Sequence, residues 1–181
     1  MRLRGDTLKH LAKQAGVSVE QLAQSVERTG LKGEHALSAV RNWTAGRDHP
    51  RCKATDVAKL AAAVGVAPRA IASFTSQVKY HRGSPRKAKL LVDLIRGRNV
   101  IEAENLLRFT TKRAAVDVLK ALRAAVSDAQ LAEADENALF VAESRIDSGP
   151  VIKRFQPKDR GRAHPIIKRM GHVTIAVHER A

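Results

Sequence analysis

The chain has 181 residues, a formal net charge of +15 at pH 7 and only 3% aromatic residues. That charge selects polyanions as partners, and the shortage of aromatics argues against a stacking platform for single-stranded bases. No run approaches the roughly 20 apolar residues of a spanning helix, and the start lacks the apolar core of a signal peptide, so a membrane is not expected as a partner. One cysteine, Cys52, rules out an intramolecular disulfide framework and suits a reducing cytoplasm.

Residues 1–75 read as a string of short helices. Leu8, Leu11, Ala12 and Ala15 stand at helical spacing, and Gly16 closes that run. Ser18 with Gln21 three residues on is a capping box that opens a second helix through Leu22 and Val26. Ala36, Leu37, Val40 and Trp43 form a third run, stopped near Gly46. Val57, Leu60, Ala61 and Val64 form a fourth, ended by Gly65. Pro68 is placed to start a last turn carrying Ile71 and Phe74. Trp43 is expected in the core, Cys52 as an inert thiol, and His10, His35 and His49 on the surface without metal-ligand spacing.

Gln77 to Arg82 suggests a short basic strand. Ser84-Pro85 then signals a helix start, with Ser as N-cap and Pro in the first helical position. Leu90, Leu91, Leu94 and Ile95 supply an apolar stripe. Arg86, Lys87 and Lys89 crowd the positive end of that helix dipole, an unfavourable placement unless an anion lies close. Ile101, Ala103, Leu106 and Leu107 mark a second helix. Thr110 or Thr111 can cap a third, from Lys112 to about Leu131, with Val118, Leu122, Val126 and Ala129 on one side. After the acidic loop Glu133–Glu136 the period changes to that of strands. Leu139 to Ile146 is one, and Val173, Ile175 and Val177 alternate with polar neighbours in another.

Between those strands lies the most unusual stretch of the chain, Val151 to His172. Lys153, Arg154, Lys158, Arg160, Arg162, Lys168 and Arg169 face only Asp159, and Pro157, Gly161 and Pro165 are turn residues. If Leu139 to Gln156 runs out and Ile166 to Val177 runs back, the outgoing arm reaches on the order of 50–60 Å at ~3.3 Å per residue. A domain of about 100 residues has a radius of gyration near 13 Å. Such a hairpin outreaches its own core and needs a polyanion to hold it. The fold expected is α+β: three helices packed on a small antiparallel sheet with a long protruding β-hairpin, about 145–172, preceded by a small all-α domain.

Two resemblances add to this reading. Val40–Gly46, Pro50 and Val57–Val66 resemble the phage-repressor, Cro-like helix-turn-helix family, although several extra residues between Leu22 and Trp43 depart from its tight turn. If that domain touches nucleic acid, Lys32, Arg41, Asn42 and Arg47 are its candidates, weighed against a merely solvated face. SPRKAKLLVDLIRG (Ser84–Gly97), TTKRAA (Thr110–Ala115), Asp147–Arg169 and HVTIAV (His172–Val177) follow one another as in the L-twenty-two family of large-subunit ribosomal proteins, covering residues 76–181.

That second resemblance implies a structural constituent of the large ribosomal subunit in the cytoplasm, bound to large-subunit rRNA and neighbouring ribosomal proteins. It implies that Arg82, Arg86, Lys87, Lys89, Lys112, Arg113, Lys153, Arg154, Lys168 and Arg169 bind rRNA. The tip residues Lys158, Asp159, Arg160, Gly161, Arg162 and Ala163 would line the exit tunnel and meet the nascent polypeptide. Asp159 departs from a tip that is usually cationic or neutral in the family. Ser127–Gln130 and Met170-Gly171 depart from it as well.

No metal, cofactor or catalytic residue is expected. There is no metal-ligand spacing, no phosphate-cradling Gly-rich loop and no His-Glu-x-x-His helix. Asp93 and Asp117 read as salt-bridge partners of nearby Lys and Arg rather than acid–base groups. The alternative function is a DNA-binding transcriptional regulator acting through residues 1–75. Against it stand a partial helix-turn-helix signal and an unpatterned charge there, twelve Lys and Arg to six Asp and Glu. An added domain making RNA or protein contacts at the ribosome surface is the preferred reading, with DNA not expected as a partner.

Overall fold

A computed structural model describes residues 1–180. The elements in order are β1 (Arg2–Leu3), α1 (Gly5–Gln14), α2 (Val19–Ser25), α3 (Glu34–Thr44), α4 (Ala54–Val64), α5 (Pro68–Ile71) and β2 (Ala72–Arg82). Then come α6 (Pro85–Ile95), α7 (Val100–Arg108), α8 (Ala114–Gln130), β3 (Leu139–Pro157) and β4 (Ala163–Glu179), with 3-10 turns at Glu136–Ala138 and Asp159–Gly161. The strands pair in the order β1-β2-β4-β3, an antiparallel sheet beside helices, so the fold is α+β.

The chain forms two compact units. The first holds residues 1–74 with two tracts from further along, Asp128–Ala134 and the residues from His178. Its helices start and stop for local reasons. The Ser18 hydroxyl accepts from the Gln21 amide at 3.2 Å and the Gln21 side chain accepts from the Ser18 amide at 2.9 Å, closing the capping box. Gly65 ends α4 in the left-handed region at φ +76°, a conformation glycine adopts without steric cost. Leu8, Leu22, Val26, Val40, Val57 and Leu60 are fully buried between the helices. Trp43 joins them, 2% exposed, and its indole N–H donates to the Pro50 carbonyl at 2.6 Å. Phe74 lies in β2 and not in the helical turn expected after Pro68; Leu3 and Arg2 pair with Ala72 and Ser73, which draws the chain into the sheet.

The second unit comprises residues 75–127 and 135–177. Helices α6 and α7 pack on β3, and Leu91, Val92, Ile95, Leu107, Leu122 and Ile175 lie in the core. The α6 stripe differs from the expected one. Ala88, Leu91, Val92 and Ile95 face inward at i, i+3, i+4 and i+7, while Leu90 and Leu94 are exposed. The small Ala88 belongs to the packed face because it lets the helix approach the strand closely.

Helix α8 begins at Ala114, two residues later than the threonines suggested. The Thr110 hydroxyl instead donates to the Leu106 carbonyl at 2.6 Å and closes α7. Asn99 caps α7 by accepting from the Ile101 amide at 3.0 Å. Gly97, at φ +77°, donates its amide to Val141 and so ties the end of α6 to β3.

Strands β3 and β4 are 19 and 17 residues long, and their outer halves, from Lys153 to Arg169, are exposed on both faces. Nineteen extended residues span about 60 Å. Two glycines let the arms pass closely at the base: a Cβ at Gly149 would stand 3.1 Å from His172 Nε2, and one at Gly171 would stand 3.0 Å from Ile146 Cδ1.

Candidate nucleic-acid interface

The second unit presents its cations around a short turn, Arg82-Gly83-Ser84, between β2 and α6. A cleft of about 590 Å³ lies against it, lined by Ile152, Arg154, Ile167, Lys168, Arg169 and Met170 as well as the turn itself. A second cleft of about 530 Å³ shares the same turn and is lined by His81, Lys87, Leu90, Lys112, Arg113 and Ala114. The ridge therefore separates two basic depressions. The hairpin base supplies one, and the starts of α6 and α8 supply the other. Residues distant in sequence converge here because β2 delivers the chain to α6 beside the hairpin arms.

The residue that leads into the ridge is anchored by a pair of which only the histidine is buried. His81 is 6% exposed, and its Nδ1 lies 2.6 Å from Asp117 Oδ2 on α8. Asp117 was expected to pair with a nearby Lys or Arg; its partner is a histidine 36 residues away in sequence. Gly83 sits over the other side of the ring, where a Cβ would fall 2.5 Å from His81 Nε2. Ser84 has extended geometry and Pro85 takes the first helical position, yet the Ser84 hydroxyl makes no capping bond. The α6 N-terminus is thus left without a side-chain acceptor while Arg86, Lys87 and Lys89 stand exposed near it.

The charges of the protein divide into two sets. Arg69, Arg96, Arg98, Arg108, Arg123 and Arg145 are occupied in ion pairs with carboxylates. Glu104 shows what such pairing does: hydrogen bonding from Arg123, with the charges of Arg108 and Arg123, holds its carboxyl below the usual range although burial opposes this. In contrast, Arg82, Arg86, Lys87, Lys89, Lys112, Arg113, Lys153, Arg154, Lys168 and Arg169 are all exposed and form no ion pair among the described residues. Exposed cations close together repel one another unless a polyanion neutralises them. At the tip, Lys158 donates its amide to the Arg162 carbonyl at 2.7 Å across the 3-10 turn, and Arg160 takes φ +57°. Lys158, Asp159, Arg160, Gly161, Arg162 and Ala163 are exposed.

One residue of this surface was missed in the sequence. Tyr80 is 58% exposed at φ +59°; its amide donates to His172 Nδ1 at 3.1 Å, and the two rings meet edge to face at 5.0 Å. Left-handed geometry at a bulky residue costs about 1–3 kcal/mol and persists only where neighbours impose it. An exposed aromatic between Lys79 and His81-Arg82 was the available signal.

In the first unit, Lys32, Arg41 and Arg47 are exposed. Asn42 is half-buried and its amide donates to the His49 carbonyl at 3.0 Å, which holds the α3–α4 connection. Arg28 bridges to the buried Asp56 at 3.2 Å. Burial, with smaller contributions from Asp56 and Asp48, pushes the Cys52 thiol up to about 12, so it is protonated and inert. Among the described residues there is no cluster of three or more His, Cys, Asp or Glu able to hold a metal, and no helix long and apolar enough to cross a membrane.

Known proteins resemble this second unit closely. The sequence profile of the family described as Ribosomal protein L22p/L17e matches residues 76–178. Large ribosomal subunit protein uL22 of Clostridium novyi (strain NT) is 49% identical over 104 residues, which cover 57% of this chain and 94% of that protein. The uL22 protein of Clostridium acetobutylicum is 48% identical over 103 residues, 56% of this chain and 93% of its own. That of Lactobacillus delbrueckii subsp. bulgaricus is 44% identical over 110 residues, 60% and 94% respectively. These matches leave most of residues 1–75 outside them, and with the exposed basic hairpin and paired clefts they establish that the chain belongs to the Ribosomal protein L22p/L17e family.

Proposed function

We propose that the protein is a structural, non-catalytic constituent of the large ribosomal subunit, bound to large-subunit rRNA through its second unit. The observation that carries this is the division of the cations. Ten exposed Lys and Arg side chains without carboxylate partners line the two clefts, the α6 start and the hairpin arms. Folded RNA is recognised mainly by shape and backbone, which scattered cations serve better than an aromatic platform. The hairpin arms contact phosphate and hold position, while the tip, Lys158 to Ala163, lines the nascent-peptide exit tunnel and meets the growing chain. The first unit, residues 1–74 with two tracts from further along, is helix-turn-helix-like in its α3–α4 half and adds RNA or protein contacts at the ribosome surface through Lys32, Arg41 and Arg47. Asn42 serves that unit structurally. A DNA-binding regulator finds no support among the relatives named above, which are large-subunit ribosomal proteins.

Ribosome fractionation tests the main reading. The chain should sediment with the large subunit and stay there at moderate salt; recovery free or on chromatin would refute it. A photo-reactive residue in place of Arg160 should crosslink to a stalled nascent chain. Selection from random duplex DNA with the full protein should return no consensus site.

A further inference from the structure

The cleft between β2, α6 and the start of α8 is more than a patch of positive charge. Its volume, about 530 Å³, falls within the roughly 300–1,000 Å³ of pockets that enclose a small ligand. Leu90, 59% exposed, and Ala114 give it apolar wall, and Lys87, Lys112 and Arg113 stand on its border. His81 also lines it, although little of that side chain is exposed. The neighbouring cleft also has apolar lining, Ile152, Ile167 and Met170, but no histidine edge.

The orientation of His81 is fixed. Nδ1 bonds the Asp117 carboxylate, an acceptor, so Nδ1 carries the proton in either charge state of the ring. Nε2 forms no hydrogen bond among the described residues, yet it is not one of the sealed unpartnered polar atoms, which are Arg28 Nη1 and Ser144 Oγ. His81 lines the cleft, and Nε2 lies against Gly83, whose missing side chain leaves open the space beside it. A group that can both donate and accept satisfies Nε2 whether the ring is neutral or charged. The hydroxyl of a ribose is such a group.

We propose that this cleft takes a single unstacked nucleotide of the RNA. Its base lies on Leu90 and Ala114, its ribose faces His81 Nε2, and its flanking phosphates meet Lys87, Lys112 and Arg113. Unpaired nucleotides splayed from loops and bulges are the elements of RNA that proteins recognise individually. The pocket would thus give a sequence-tolerant surface one fixed point of register. This inference rests on the rRNA-binding reading and assigns to it a nucleotide-sized site.

The test uses the full chain assembled on transcribed large-subunit rRNA, with a photo-reactive amino acid in place of the exposed Leu90. Crosslinking should map to one dominant nucleotide that is unpaired in the RNA. A second variant, Leu90→Arg, removes the apolar wall while adding charge. It should expose that nucleotide to base-reactive probes by 5-fold or more while the nucleotides protected by the hairpin arms stay protected. His81→Asn, whose amide N–H stands near the place of Nδ1 and can still donate to Asp117 but which lacks Nε2, should reduce the preference for a ribose over a 2′-deoxy sugar at that one nucleotide. Crosslinks spread over paired RNA, or no crosslink to the bound RNA, would overturn the pocket while leaving rRNA binding intact. Failure of the unmodified protein to retain the rRNA would overturn the rRNA reading itself, and this inference with it.

Discussion

Replacing Gly83 by alanine tests whether the ridge between the two basic clefts is a fitted backbone element. The added Cβ would stand 2.5 Å from His81 Nε2 and 3.2 Å from its Cε1, where ordinary contacts begin near 3.4 Å. Relief requires a displacement of roughly 1 Å. The ring cannot easily supply it, because Nδ1 is held at 2.6 Å by Asp117 and the side chain is enclosed. The backbone of the turn must move instead, carrying Arg82 and the α6 N-terminus with it. Overpacking of this kind costs about 1–3 kcal/mol. Urea unfolding of Gly83→Ala should show a loss in that range. Affinity for large-subunit rRNA, measured by filter binding at fixed salt, should fall several-fold although no charge was removed. Unchanged stability together with unchanged affinity for Gly83→Ala would refute the fitted-ridge argument.

Three further outcomes follow from other parts of the molecule. Lys112→Gln combined with Arg113→Gln should lower the slope of log affinity against log salt by roughly 1.4–1.8, since each neutralised phosphate contributes about 0.7–0.9; an unchanged slope would mean these side chains do not meet phosphate. Burial, with a smaller contribution from the charge of Arg4, holds the His178 imidazole down at about 4 from an ordinary 6.5. Between those values the unfolded chain binds a proton that the folded chain does not, so this stability is full above about pH 6.5 and is lost as pH falls toward 4. Allowing for its partial exposure, the loss is about 1–2 kcal/mol, and His178→Asn should flatten that limb of the urea-midpoint profile. Gly5→Ala would set a Cβ 2.1 Å from the Trp43 carbonyl oxygen, contact between two backbones that must separate. A destabilisation of about 3 kcal/mol is expected, with faster alkylation of the buried Cys52 as the sign that the first unit has opened.

Local signals in the chain were read well where the chemistry is local. The Ser18/Gln21 box, Gly65, Pro68 and Pro85 each act within one helical turn, and each stands where the spacing put it. The hairpin was legible because its cations, prolines and Gly161 leave no apolar face to bury. Its extended arms follow from the residues alone; around the tip the outgoing arm ends one residue later, and the returning arm starts three residues earlier, than expected. The α6 stripe was misread because four leucine and isoleucine positions fit a helix face nearly as well as the true set, and only contact with β3 selects Ala88 over Leu90.

The sequence by itself determined the polyanionic partner, the alternation of helices and strands, and the reach of the basic hairpin, because charge, periodicity and chain length are properties of the residues themselves. Tertiary structure alone decided the rest. Only pairing with Leu3 and Arg2 extends β2 back through Phe74. Only folding brings Asp117 to His81 and turns Tyr80 outward against His172. And only the packing of β2, α6 and α8 converts separate runs of lysine and arginine into two clefts sharing one ridge. These contacts join residues tens of positions apart, and no local pattern encodes which of many compatible partners a side chain will meet.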